Sequence, residues 1–181
     1  MKLSQLLASK KVVASGFAAI SGLSTHSLGT EEAVLSSLAP SVLAEQGVAE
    51  YYALQLARGT VYNTTEEIVA ADPDVRRYVI LAIDNTYGAD VVIVSRHAGT
   101  VALLLERYPG ADVLESVTAD QIAGKHVVGT LPPYLITAAD AYTAVTIRGF
   151  DHTKDGDLAG DELAERIVIA DKPLRVVELP A

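Results

Sequence analysis

Val91-Val92-Ile93-Val94-Ser95-Arg96-His97-Ala98-Gly99-Thr100 is a run of four β-branched apolar residues that passes straight into a polar, glycine-containing loop. A short apolar run bounded by turn residues reads as a buried strand, and the apolar spacing over residues 100–108 reads as a helix opening at that loop. Strand, loop and helix in this order build parallel sheets covered by helices. Toward the C-terminus, residues 113–117 and 126–130 are expected as strands. Pro132-Pro133 starts a helix expected to run through Ala141, residues 144–147 form a strand, and residues 161–165 form at most a short helix. Residues 167–170 and 175–179 finish as strands, with Asp171-Lys172-Pro173 turning between them into an antiparallel pair. The fold class expected is α/β, a Rossmann-like, mostly parallel sheet.

Toward the N-terminus the pattern reads as mainly helical. Thr30 precedes Glu31-Glu32 and an apolar run, Ser41 follows Pro40 and opens a run to Arg58-Gly59, and Thr64-Thr65-Glu66-Glu67 has the form of a capping box. Asp72-Pro73 begins either a further helix or a strand over residues 78–83, since short apolar runs fit both. The turn-rich Asp84-Asn85-Thr86-Tyr87-Gly88 is the expected boundary between a mainly helical region, residues 1–85, and a Rossmann-like domain, residues 86–181. No repeat of about 20–50 residues is visible.

Half of the 181 residues are apolar and a fifth are charged, which places the chain among globular proteins. It has no cysteine, so disulfides, thiolate metal sites and a cysteine nucleophile are excluded. A formal charge of -9 opposes general binding to duplex nucleic acid, so an anionic ligand must be met by a local cluster. The apolar stretch that follows Lys10-Lys11 is interrupted by Ser15 and Gly16 and is far shorter than the roughly 20 residues a membrane span needs. The expected location is cytoplasmic, with no membrane partner.

Three strand ends could meet an anion. Arg96 and His97 sit where a strand hands over to a helix, whose first N–H groups and positive dipole end favour negative charge. Gly99 removes a side chain that would hold a ligand off the backbone. A blander explanation is that Ser95 or Thr100 only caps the helix and Arg96 pairs with a surface acid. Gly129-Thr130-Leu131-Pro132-Pro133 is a second strand-to-helix turn, and Arg148-Gly149 a third strand end. If the strands ending at Val94 and Gly129 are neighbours, their loops open on one edge.

Together, Ser95-Arg96-His97-Ala98-Gly99, Gly129-Thr130-Leu131-Pro132 and the acidic segment Gly156-Asp157-Leu158 with Asp161-Glu162-Leu163 resemble a family of small CRISPR-associated ring nucleases that accompany type III systems. The resemblance covers roughly residues 90–181. It implies a Rossmann-like homodimer that binds a cyclic oligoadenylate, with cyclic tetra-adenylate the first candidate, and opens it by 2'-hydroxyl attack without metal or cofactor. By the same resemblance, Ser95, Gly99, Thr100, Gly129, Thr130, Leu131 and Arg148 are binding candidates, and Arg96 and His97 catalytic ones. The chain departs from the family pattern where Lys154-Asp155-Gly156-Asp157 stands in place of an Arg-Gly pair. A non-catalytic sponge for the same messenger is the alternative.

Arg96-His97 also fits part of the signature of histidine-type phosphatases, but those need a second histidine at a later strand end, whereas His126 begins its strand and His152 lies among acids. Asp151, Asp155 and Asp157 hint at a calcium loop, yet Lys154 and Asp157 spoil the required interior, and an acidic turn suffices.

Overall fold

The computed structural model describes residues 1–57, 59–84, 86, 88–150 and 155–180. The chain divides into two compact units, Met1–Ile80 with Val177–Ala181, and Leu81–Val176. Among the described residues no helix is long and apolar enough to cross a membrane.

The first unit runs α1 (Leu3–Ser9), β1 (Lys11–Ser15), α2 (Ala18–Ser21), a 3-10 turn (Gly22–His26), β2 (Glu32–Ser36), α3 (Pro40–Glu45), β3 (Glu50–Leu54), α4 (Thr65–Ala71) and β4 (Val75–Ala82). Its strands lie in the order β1-β2-β3-β4, the first two pairings parallel and the third antiparallel. The mainly helical reading of residues 1–85 is therefore corrected to a mixed α/β unit. The run expected from Ser41 to Arg58 is broken by Gly47, whose φ of 79° ends α3 and frees Glu50–Leu54 to form a strand. Glu31 and Glu32 do not open a helix. They meet Lys10 and Lys11 across the β1–β2 pair at 2.6 and 2.8 Å.

The capping signal at Thr64 is realised as the start of α4. Thr64 Oγ1 accepts from the Glu67 N–H at 3.2 Å, and the Glu67 carboxylate accepts from the Asn63 N–H at 2.8 Å. Asp72, at φ 43°, ends α4, and the strand alternative for the residues beyond it holds. Leu3, Leu6 and Leu7 line one face of α1 and join Ile20, Leu23 and Ile68 over Val12, Leu35, Tyr52 and Val75 of the sheet.

The second unit runs β5 (Val91–Val94), α5 (Ala98–Arg107), β6 (Asp112–Leu114), α6 (Ala119–Ile122), β7 (His126–Gly129), α7 (Pro133–Ile136), β8 (Ala141–Ile147), α8 (Gly160–Arg166), β9 (Ile167–Ile169) and the start of β10 (Leu174–Leu179). The order β6-β5-β7-β8 is parallel throughout, as expected of the α/β class. Leu104 of α5 is fully buried against Ile93, Val128 and Val145, which shows why these strands are apolar and β-branched.

Two details of this half differ from the sequence reading. The helix expected from Pro133 to Ala141 is a single turn, because the N–H groups of Asp140 and Ala141 bond the Lys125 carbonyl and draw the chain into the sheet. Asp171-Lys172-Pro173 is not a hairpin turn. β9 pairs antiparallel with Val145–Ile147 and Leu174 pairs with Tyr142, so both segments lie along β8 rather than on each other. Proline, which lacks a donor, falls in the break between them.

Candidate functional site

β5 has β6 on one side and β7 on the other, so the chain reverses its direction of travel across the sheet at the β5–β7 pair. In open α/β sheets, ligands bind beyond the carboxyl ends of the strands at such a switch point. The register places Val94 beside Gly129, so the loops after β5 and β7 do leave one edge together. Gly129, at φ 152°, permits this closeness, since a Cβ there would collide with the Val94 carbonyl oxygen.

The capping explanation of the first loop is not what the structure shows. His97 occupies the N-cap of α5 with no side-chain bond to the first turn, and Ser95 Oγ accepts instead from the His97 N–H at 3.2 Å. The first-turn donors are left without a side-chain cap, an arrangement suited to an anion. Arg96 is exposed and has no ion-pair partner among the described residues.

His97 has a partner that the sequence reading assigned only to an acidic turn. Its Nδ1 lies 2.5 Å from Asp157 Oδ1, with the two side chains 45% and 70% exposed. An ionised carboxylate only accepts, so Nδ1 carries the proton of this bond and Nε2 is the ring nitrogen left to take or give another. The Phe150 ring stands 6.4 Å from the imidazole, centroid to centroid, in a tilted arrangement.

The loop bearing Asp157 is held from within. Arg166, at the end of α8, donates to both Asp155 oxygens at 2.7 and 3.2 Å and to the carbonyls of Arg148 and Gly149 at 3.0 and 2.8 Å. This bidentate pair is among the less exposed in the molecule, and the Asp155 bond raises the guanidinium pKa further. The segment Leu158–Ala159 then crosses the start of α5 so closely that any Cβ on Gly99 would strike the Leu158 carbonyl oxygen. Gly99 thus makes room for the chain's own backbone.

Other expected residues take defined positions. Thr100 is 5% exposed, and its enclosed hydroxyl has no hydrogen-bond partner among the described residues, so a ligand at the loop surface does not reach it in this conformation. Thr130 donates its hydroxyl to the Val145 carbonyl at 2.6 Å. The Leu131 N–H donates to the Tyr142 hydroxyl at 3.4 Å, which itself donates to the Gly129 carbonyl at 2.8 Å. Tyr142 therefore props the Gly129-Thr130-Leu131 turn from below, and burial pushes its pKa up to about 12. Arg148 follows the last residue of β8 and donates to the Glu165 carbonyl at 3.4 Å.

No protein-family model, curated protein or solved structure matches the chain. The site is therefore read from its own geometry.

His126 lies at the opposite end of β7, 5% exposed, with Nε2 2.8 Å from Thr143 Oγ1. Burial lowers its pKa, and its place at the start of β7 keeps it from serving as a second histidine for a phosphatase at this edge. His152 and Asp151 lie outside the described residues, as does Lys154. Asp155 and Asp157 are engaged by Arg166 and His97, and among the described residues no group of three acids or histidines could hold a metal ion.

Proposed function

We propose that the protein binds a cyclic oligoadenylate at the carboxyl edge of β5 and β7 and opens the ring. The observation that carries this reading is the Asp157–His97 pair, which leaves Nε2, next in the chain to Arg96 and at the uncapped start of α5, without a bond among the described residues, as Arg96 is without an ion pair among them. A phosphate facing this edge meets a fixed fork of guanidinium donors and backbone N–H groups, while the imidazole handles a proton.

In the reaction that this supports, a ribose 2'-oxygen attacks its neighbouring phosphorus as the P–O5' bond breaks. His97 Nε2 takes the 2'-hydroxyl proton, water protonates the departing O5' to a hydroxyl, and the imidazolium returns its proton to the hydroxide left behind, so no proton is gained or lost overall. The product is a linear oligoadenylate with a 2',3'-cyclic phosphate. Arg96 offsets the charge that builds on the phosphate, and the Gly129-Thr130 turn holds the reacting atoms in line. No metal or cofactor is required by this scheme. Two copies of the chain would present the edge twice around a symmetric ring, and the proposed assembly is a homodimer.

The test separates nuclease from sponge. With cyclic tetra-adenylate, His97→Ala should bind within a few-fold of wild type while cleaving roughly 10²–10⁴ times more slowly. A wild-type protein that binds the ring and releases it unchanged after hours would establish sequestration instead.

A further inference from the structure

We infer that Met1–Ile80 is a second, chemically silent copy of the module that carries the site, so that each chain has one reactive edge; the inference rests on the function proposed above. The first unit orders its strands β1-β2-β3-β4 with parallel, parallel and antiparallel pairings. The second repeats this as β5-β7-β8-β10, again parallel, parallel and antiparallel. β6 and α6 have no counterpart, as an insertion between α5 and β7, and neither do α1, the 3-10 turn and β9.

The helices correspond as well. α3 and α7 are both short, both begin on a proline, Pro40 or Pro133, and both bury one aliphatic residue three positions on, Leu43 or Ile136. α4 and α8 each follow a long connection, each bury one aliphatic residue, Ile68 or Leu163, and each lie against the helix after the first strand, α2 or α5. In both crossings a glycine admits the close approach, Gly22 under Thr65 and Gly99 under Leu158. The sequences then align: Leu35-Ser36-Ser37-Leu38-Ala39-Pro40 with Val128-Gly129-Thr130-Leu131-Pro132-Pro133. A repeat as long as a whole unit escapes a search for periods of about 20–50 residues.

What differs is the chemistry at the edge. The register sets Ser15 beside Ser36 as it sets Val94 beside Gly129, so Gly16-Phe17-Ala18 stand where Ser95-Arg96-His97 stand. Tyr62 precedes α4 by the interval at which Asp157 precedes α8. The loops after β1 and β2 hold no lysine, arginine or histidine. They are also bonded to each other: the Phe17 N–H donates to Ser37 Oγ at 3.1 Å and the Ser37 N–H to the Ser15 carbonyl at 3.3 Å. In the reactive copy Thr130, at the place of Ser37, donates its hydroxyl instead to the Val145 carbonyl. One edge is closed by its own loops and the other is open.

Single-turnover cleavage of cyclic tetra-adenylate by full-length variants tests this. Ser37→Ala and Phe17→Ser, the latter at a position 74% exposed, should each cleave within twofold of wild type, while His97→Ala should retain less than about 1% of the rate. A tenfold loss in a Ser37→Ala or Phe17→Ser protein whose melting temperature matches wild type would overturn the silent assignment. So would about half of the wild-type rate surviving in His97→Ala. A wild-type chain that does not cleave the ring at all overturns the proposed function itself, and the single reactive edge with it.

Discussion

Asp157→Asn should separate the stability of the site from its chemistry. Asp157 and His97 are 70% and 45% exposed, so their 2.5 Å contact is a surface pair. Such pairs contribute about 0–1 kcal/mol to folding, which for a chain of this size shifts the melting temperature by less than roughly 4 °C. The effect on rate should be larger. The carboxylate fixes which imidazole nitrogen carries the proton, and a hydrogen bond to a charged group is worth about 1.5–3 kcal/mol. At 1.4 kcal/mol per factor of ten, losing it slows a step that depends on His97 Nε2 by roughly 10–100-fold. A buried catalytic triad loses about 10⁴-fold on the same change. Here the smaller figure applies, because water can partly orient a half-exposed ring. The assay is single-turnover cleavage of cyclic tetra-adenylate beside equilibrium binding and a thermal melt. A rate within twofold of wild type would refute the positioning role, and a melting temperature lowered by more than about 8 °C would show that the contact is chiefly structural.

Three further outcomes follow from other contacts. Tyr142→Phe removes the hydroxyl shared by the Gly129 carbonyl and the Leu131 N–H, leaving buried polar groups unpaired. It should cost about 1–3 kcal/mol, read as a melting temperature lowered by roughly 2–4 °C per kcal/mol. His126 is buried with its pKa lowered, so the unfolded chain binds the extra proton first as the solution is acidified. Its contribution is complete above about pH 6.5 and is lost as pH falls below that value, so urea midpoints at pH 7.5 and 5.5 should differ more in wild type than in His126→Gln. Equal differences would remove His126 from the account. Arg96→Ala should leave the melting temperature unchanged, because Arg96 has no ion-pair partner among the described residues, while weakening ring binding roughly tenfold or more.

The central features of the second unit are legible in the sequence because each depends on neighbours in the chain. Val91–Val94, all β-branched and followed by a polar loop, reads as a short buried strand entering a helix, and Pro132-Pro133 after Gly129-Thr130 marks a strand-to-helix turn. The N-terminal strands are not legible in the same way. Lys11–Ser15 and Glu32–Ser36 are too short to show a period, and the left-handed Gly47 that separates α3 from β3 sits inside what looks like one apolar run.

The partners of the site lie far off in sequence. Asp157 reaches His97 only because Arg166 clamps its loop and Gly99 admits Leu158 at the start of α5. Tyr142 reads as a core aromatic, and its bonds to Gly129 and Leu131 arise from the parallel pairing of β7 with β8. Spacing along the chain carries no sign of either.

Incubation of the purified protein with cyclic tri-, tetra- and hexa-adenylate, with and without chelator, tests the central claim most directly when the products are separated by chromatography. The account predicts loss of one ring in particular, at a rate unaffected by chelator, to a linear oligoadenylate ending in a 2',3'-cyclic phosphate. Rings recovered intact, or cleavage that stops when chelator is added, would contradict it.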